Sequence, residues 1–344
     1  MSKDHLSPLS EKELQDFTSL RTGETKVGEI LLKTSSDWTS EDSQRFSKSS
    51  QNGIKYGIIL VPEDIGPRGN LGRPGAALAP EAFLSFFCNM QANQFYDYTK
   101  VMIAGQIETG DLNDEAREAS PEKLRLLCES LDGRVQAAVE ELINAGIKPI
   151  VIGGGNNNSL PTIRGATRKL DSRINCINCD PHADYRRLEG RHSGNPFSYA
   201  HEENLLNKYC VFSLHENYNS QDMLDRLKAD GFRYLSYEDC FVRKKRSYEE
   251  QLKEAAEYLK GDPYPLGVEL DLDSIKNMPS SALTPFGISE EEAVRFIHYF
   301  TDSFKTAYLH LSEGAPSCTT DDGIRKVGKF MALAVITFLK ADKI

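Results

Sequence analysis

The chain has 344 residues, 39 % of them hydrophobic, with 16 Phe and 14 Tyr, enough to bury one large α/β domain or two ordinary ones and too much for a disordered chain. Its formal charge of −10, from 41 basic and 51 acidic residues, argues against nucleic acid or an anionic membrane as partner. Seven scattered cysteines and a polar start without an apolar run point to a reduced, cytoplasmic protein with no signal peptide or spanning segment.

Thr34 to Gly53 is rich in Ser, Thr, Asp and Lys and nearly free of aliphatic residues. It reads as a loop, so residues 1–53 are expected to form a partly flexible N-terminal extension and 54–344 the domain. From Lys55 strands and helices alternate. Tyr56–Val61 predicts a strand, Pro80–Asn93 a helix, Lys100–Ala104 a strand and Pro121–Ala145 a long amphipathic helix. Pro149–Ile152 is a strand, Leu160–Leu170 a helix, Ile174–Cys179 a strand, Tyr209–Leu214 a strand and Asp222–Asp230 a helix. Tyr248–Leu259 is a helix, Leu266–Leu272 a strand, Ser289–Phe300 a helix, Thr306–Leu311 a strand and Gly323–Lys340 a helix. The strands are short unbroken apolar runs, which indicates a mostly parallel sheet covered by helices on both faces. The expected fold is a single three-layer α/β/α domain. Cys176 and Cys179 form C-x-x-C inside a strand, where positions i and i+3 face opposite ways, so neither a redox pair nor a zinc knuckle is expected.

Ligands of such sheets bind beyond the carboxyl ends of the strands, and the unusual residues collect there. One strand runs into Gly153-Gly154-Gly155-Asn156-Asn157-Asn158 and the next into Asp180-Pro-His182-Ala-Asp184. Later strands end in His215-Glu-Asn, Asp271-Leu-Asp273 and Glu313-Gly-Ala-Pro316. Residues spaced by two project to one side of an extended chain, so D-x-H-x-D converges three donors on one point. Carboxylates with one imidazole suit Mn²⁺, Fe²⁺ or Zn²⁺ better than Ca²⁺ or Mg²⁺. Glu269, Asp271 and Asp273 share one face of an apolar strand, and buried carboxylates need a cation or a basic partner. This is more acid than one ion requires, which favours a two-metal site able to activate water at neutral pH.

At these residues the chain resembles the ureohydrolase superfamily of arginase, agmatinase and formimidoylglutamase. The ordered motifs are Gly153-Gly154-Gly155-Asn156, Asp180 to Asp184, Ser193-Gly194-Asn195, Asp271-x-Asp273 and Glu313 near Pro316, with Gly72-Arg73-Pro74-Gly75-Ala76 as an early loop. They span roughly residues 55 to 341. The resemblance implies the arginase-like α/β/α fold, two Mn²⁺ ions and a hydroxide that attacks an amidine or guanidine carbon. By position it implies metal ligation by Asp180, His182, Asp184, Asp271 and Asp273, with Glu313 holding the amidine or guanidine group. It also implies a trimer or hexamer. Two departures stand out. The family's metal-binding histidine after the glycines is Asn156, a weaker oxygen ligand, so one of the two metals should bind less tightly, or a neighbour such as Asn157, Asn158 or His215 must substitute. A histidine of arginase-like members is Phe197, which, with the triple glycine, points to the formimidoylglutamase-like branch.

Arg186, Arg187 and Arg191 follow the metal motif and are expected to receive a substrate carboxylate, with Asn195 as a further substrate contact by resemblance. His215, at a strand end on the same rim, is a candidate catalytic group, whereas His310 reads as a core residue. The expected function is Mn-dependent hydrolysis of a linear amidine or guanidine, with a formimidoylglutamate-like substrate favoured. The alternative is a catalytically impaired homologue with a partial metal site that acts as a binding protein. A metal-dependent deacetylase fits the Ser-Gly-Asn and late Glu motifs less well.

Overall fold

Residues 5–35, 45–170, 172–319 and 322–343 are described by a computed structural model. Among them nine strands form one sheet: β1 (Leu6–Ser7), β2 (Tyr56–Leu60), β3 (Val101–Ile107), β4 (Lys148–Ile152), β5 (Ile174–Cys179), β6 (Leu206–Leu214), β7 (Arg233–Ser236), β8 (Leu266–Asp271) and β9 (Thr306–Ser312). The order is β1-β3-β2-β4-β9-β8-β5-β6-β7. Only β1 runs antiparallel to its neighbour. Every residue of β2, β5, β8 and β9 is buried. Helices on both faces exclude water from these strands, which is why they read as unbroken apolar runs rather than alternating ones.

On one face the strands pack with helices Ala79–Phe87, Tyr248–Leu259, Glu290–Ser303 and Gly323–Ala341 through residues such as Phe83, Phe296, Phe300 and Phe338. Opposite β2 and β3 lies the long helix Pro121–Asn144, started by the Ser120 hydroxyl accepting from the Lys123 N–H. Cys176 and Cys179 enter different core clusters, as the strand period requires, and every described cysteine is a free thiol.

The N-terminal segment is more involved than its composition suggests. β1 extends the sheet beside β3, and Leu14, Val27 and Leu31 are buried in the core. The segment expected as a loop, Thr34 to Gly53, falls partly outside the described residues. Within it Arg45–Gln51 is a helix, because Phe46 supplies one buried anchor, only 1 % exposed, to an otherwise polar turn. The strands β1 and β7 are too short to give a periodic signal.

The consequence for the site lies in the strand order. The four neighbours β4, β9, β8 and β5 end side by side, yet β4 and β5 are consecutive in sequence. The chain crosses over between them, and this reversal opens a crevice at their carboxyl ends. Register aligns the ends: Asp271 is opposite Ser312, and Cys179, just before Asp180, is opposite Leu270.

Phe46→Ala is expected to lower stability to denaturant by about 3 kcal/mol or more, as for other buried aromatic truncations. An unchanged unfolding midpoint would show that the Arg45–Gln51 helix is not part of the cooperative fold.

Candidate functional site

Asp180, Asp184 and Asp271 each bring one carboxylate oxygen within 4.8 Å of the other two, and all three are buried. At this separation two full charges repel by about 3 kcal/mol at an effective dielectric of about 20. Three such pairs cost about 10 kcal/mol, comparable to the whole stability of a domain. The cluster therefore needs protons or a cation. His182 and Asp273 stand beside it: His182 Nδ1 is 3.3 Å from Asp180 Oδ1 and 3.9 Å from Asp273 Oδ2.

Backbone N–H groups fix the carboxylates. The His182 N–H donates to Asp180 Oδ1 at 2.7 Å, the Asp273 N–H to Asp271 Oδ1 at 2.7 Å, and the Ala282 N–H to Asp273 Oδ1 at 2.9 Å. Asn178 Nδ2 donates to Asp180 Oδ2 at 3.0 Å. Asp184 and Glu313 hold left-handed backbone, φ 43° and 62°, at a cost of about 1 kcal/mol or more each. Burial pushes the carboxyl groups of Asp184, Asp271, Asp273 and Glu313 above their ordinary range, and neighbouring acids add to it. For His182 burial acts downward but is outweighed by Asp180, Asp273 and Asp184, which hold the imidazole at about 9.

Glu313 Oε1 accepts from the Asn156 N–H at 2.8 Å, and its buried Oε2 has no partner of hydrogen-bonding geometry. That free oxygen, the oxygen-rich cluster and one adjacent imidazole fit a divalent transition ion of the manganese type with a polar molecule beside it. Asn156 enters differently from expectation. Its Nδ2 donates to Asp184 Oδ2 at 2.6 Å and to Asp180 Oδ2 at 3.3 Å, while its Oδ1 accepts from Ser159 Oγ at 2.8 Å and Ser312 Oγ at 3.1 Å. Beneath it Glu269 bonds His310 Nδ1 at 2.6 Å, Tyr308 Oη at 2.6 Å and Ser159 Oγ at 3.0 Å. Glu269 thus supports the floor one layer below the cluster, and His310 is its buried partner.

A cavity of about 470 Å³ opens over this floor. His182, Asp184, Asp271, Asp273 and Glu313 line its base, and Asn70, Arg186, Arg187, Tyr218, Asp222 and Arg226 are among its walls. Arg187 and Arg226 both donate to Asp222, at 2.5 Å and 3.3 Å, and Arg186 is more than half exposed. Glu189, 3.9 Å from Arg186, also lines the cavity, so three guanidinium groups against two carboxylates leave a modest positive charge at the mouth.

Three residues expected to meet substrate are placed elsewhere. Arg191 is 1 % exposed, and it donates to Asp132 at 2.8 Å, Asn195 Oδ1 at 2.9 Å and the Asn157 carbonyl at 2.9 Å. Asn195 is buried with it and donates to the Gly190 carbonyl at 2.8 Å. These two brace the loop behind the cavity, because the buried Asp132 demands a cation. His215 is sandwiched between the rings of Tyr218 and Tyr237, at 4.7 Å and 4.2 Å, and stands behind Tyr218 rather than at the cavity wall. Burial pushes its pKa down. Asn157 and Asn158 point to Glu63, at 3.3 Å and 2.7 Å, not to the cluster. Phe197 stacks on Tyr209 at 4.2 Å within the core.

Glu63 was not legible as a functional residue. It is fully buried and also accepts from the N–H groups of Gly155, Ile65 and Gly66, at 2.7, 2.7 and 3.2 Å. A Cβ on Gly154, at φ 69°, would lie 2.5 Å from its Oε1, so the glycine run lets the chain wrap around this carboxylate. Tyr218, Asp222 and Arg226 were missed because no motif marks them.

An open, mostly parallel sheet with a polar cavity at a strand crossover, floored by a carboxylate cluster able to hold a metal ion, is the arrangement of a hydrolase-type site. The chain matches the arginase family over residues 54–337 and belongs to it. It is a hydrolase of C–N bonds in linear amidines. The formimidoylglutamase of Psychrobacter cryohalolentis is 26 % identical over 312 residues, which cover 84 % of this chain and 88 % of that protein. The formimidoylglutamase of Geobacillus thermodenitrificans is 27 % identical over 287 residues, with 81 % and 80 % covered. Among solved structures, an asparagine-to-histidine variant of Trypanosoma cruzi formiminoglutamase with manganese has a TM-score of 0.71 at 23 % identity, covering 92 % of this chain and 99 % of that one. Bacillus subtilis formimidoylglutamase also has a TM-score of 0.71, at 17 % identity, with 94 % of each chain covered. These structural likenesses bear on the fold alone. No helix of the described residues is long and apolar enough to cross a membrane.

Two outcomes follow. Arg191→Ala leaves Asp132 buried without its principal cation and should cost about 3–5 kcal/mol in denaturant unfolding; full stability with only a raised KM would return Arg191 to the substrate. The second concerns pH. The raised carboxyl groups bind more protons folded than unfolded above about pH 4, and His182 acts in the same sense until about 9. Their contribution is present at low pH and lost as pH rises. Metal-free protein should therefore melt at a lower temperature at about pH 8 than at about pH 6, and Asp184→Asn should narrow the difference. A melting temperature that rises over this range would contradict the assignment.

Proposed function

We propose that the protein is a manganese-dependent hydrolase whose substrate is an N-formimidoyl amino dicarboxylate such as N-formimidoylglutamate, released as glutamate and formamide. The observation that carries this reading is Oε2 of Glu313, buried at the base of the same cavity as the carboxylate cluster, with only the Ser281 hydroxyl beside the carboxyl and no hydrogen bond of good geometry. A planar formimidoyl cation presents parallel N–H donors, and a buried carboxylate oxygen that makes no well-formed hydrogen bond within the fold is their natural acceptor. The Asn156 N–H holds the other oxygen of Glu313 and so sets its orientation.

Asp180, His182, Asp184, Asp271 and Asp273 would hold two manganese ions, with Asn156 beside them. Bound there, the ions would lower the pKa of a shared water and supply hydroxide at neutral pH. The chain's own contribution is placement. Glu313 holds the amidine, and the ring of Tyr218 covers one side of the cavity close to His182, with 5.9 Å between ring centres. At the mouth Arg186, more than half exposed and only loosely paired with Glu189 at 3.9 Å, can turn to a substrate carboxylate, and Arg187 and Arg226 keep the local field positive. That field favours a dicarboxylate tail and disfavours the cationic tail of agmatine. Eight curated relatives share the name formimidoylglutamase, and nothing favours the non-catalytic alternative. A trimer or hexamer, implied by the family resemblance, is part of this proposal and is tested by light scattering.

The deciding experiment is turnover of N-formimidoylglutamate, arginine, agmatine and guanidinobutyrate by manganese-loaded protein, following formamide or urea. Formamide release from the first, abolished by chelation and restored by Mn²⁺, is expected. Urea release from agmatine as the fastest reaction would refute the substrate assignment. Arg186→Ala should raise KM for the formimidoyl substrate about tenfold with kcat nearly kept; an equal loss in kcat alone would place Arg186 elsewhere.

A further inference from the structure

We propose that Asn156 is a two-position residue: its amide turns between donating to the carboxylates and offering its oxygen to a metal ion, and Ser159 and Ser312 hold it in either position. The inference rests on the metal-binding part of the function proposed above and concerns how the second ion is admitted.

The geometry sets one position directly. Nδ2 of Asn156 faces two acids, 2.6 Å from Asp184 and 3.3 Å from Asp180. Two hydroxyl groups, on Ser159 and Ser312, donate to Oδ1. Asn156 and Ser159 are fully buried and Ser312 is 1 % exposed, so the exchange of partners takes place among buried side chains. In this position the amide does part of a cation's work, because an N–H donor relieves the repulsion between ionised carboxylates.

A cation among the carboxylates would face the same Nδ2–H, which it repels. Turning the amide by half a rotation about Cβ–Cγ puts Oδ1 there instead. Amide oxygen and nitrogen are nearly equal in size, so the turn needs no added space. What it does need is a pair of acceptors for the two N–H protons on the far side. Hydroxyl groups both donate and accept, so Ser159 and Ser312 can supply them. Ser159 must then send its own proton elsewhere, and Glu269 Oε2 lies 3.0 Å from its Oγ. Glu269 is in turn fixed by His310 Nδ1 and Tyr308 Oη. The buried Glu269 below the cluster thereby accepts the Ser159 hydrogen bond that the turned amide releases. Ser159, Ser312 and Glu269 are positioning residues for this ligand.

Two consequences distinguish a turning amide from a fixed one. An amide that turns contributes to metal affinity. An amide that stays a donor to Asp184 only competes with the metal, so removing it would free the carboxylate and tighten binding. Metal-free full-length protein is titrated with Mn²⁺ alone, with heat measured by calorimetry and free ion by electron paramagnetic resonance. The wild type should take two ions, and Asn156→Ala should weaken one of them by about tenfold or more while leaving the other. Tightened or unchanged binding of both ions in Asn156→Ala overturns the proposal. Should that variant not fold, a crystal structure of manganese-loaded wild type decides: Oδ1 of Asn156 bonded to an ion supports the turn, and an amide still donating to Asp184 with both ions present defeats it. A wild type that binds no manganese defeats the proposed function and this inference together, whereas two bound ions with tightened binding in Asn156→Ala defeat this inference alone.

Discussion

The structure depends on holding several like charges together out of water. Asp180, Asp184 and Asp271 sit closer than their mutual repulsion allows, and they are kept there by backbone N–H groups and by the amides of Asn156 and Asn178. No single segment could do this. The acids and most of their supports come from the ends of β5 and β8, Asn156 reaches them from the end of β4, and Ser312 of β9 holds Asn156, so only the packed sheet brings them into range. The packing of the core supplies the free energy that concentrates charge at one spot. That spot is useful because a cation gains from every carboxylate the fold has forced upon it.

Net charge gives little guide to the site. The chain is acidic overall, and its deepest point is more acidic still, yet the entrance carries Arg186, Arg187 and Arg226. The cavity is therefore polarised along its length, negative at the floor and positive at the mouth. A molecule with a cationic head and an anionic tail is aligned by that field before any contact is made. Asp222 between two arginines keeps their guanidinium groups parked and the excess charge modest.

Much of the fold was legible because its physics is local. Strands covered on both faces must be apolar throughout, so β2, β4, β5, β8 and β9 announced themselves, and their order with the helices gave the parallel sheet. The acids at their ends were legible through spacing. What stayed hidden depends on distant partners. Arg191 has the charge of a substrate-binding residue, but Asp132, 59 residues earlier, claims it. Charge can be read from a sequence; the direction a side chain takes cannot. The same holds for Asn156, whose identity suggested an oxygen ligand while its surroundings present its nitrogen, and for Glu63, an acid outside every motif whose donors arrive from two separate turns. β1 and the Arg45–Gln51 helix were obscured by the polar segments around them.

The lateral order of the strands also governs when the centre comes into being. Lys148 in β4 and Thr306 in β9 are neighbours although 158 residues separate them, and contacts of that span are made late and slowly. Asp180 and Asp271 meet only after β8 has settled beside β5, and Glu313 joins only after β9 has closed the gap to β4. A nascent or partly folded chain thus has scattered carboxylates but no chelating pocket. Metal capture would then be a checkpoint on assembly: an ion bound by this cluster would be retained only by a molecule that has paired its central strands in the right register, and a slip of one residue in any of them would turn the acids to the opposite face.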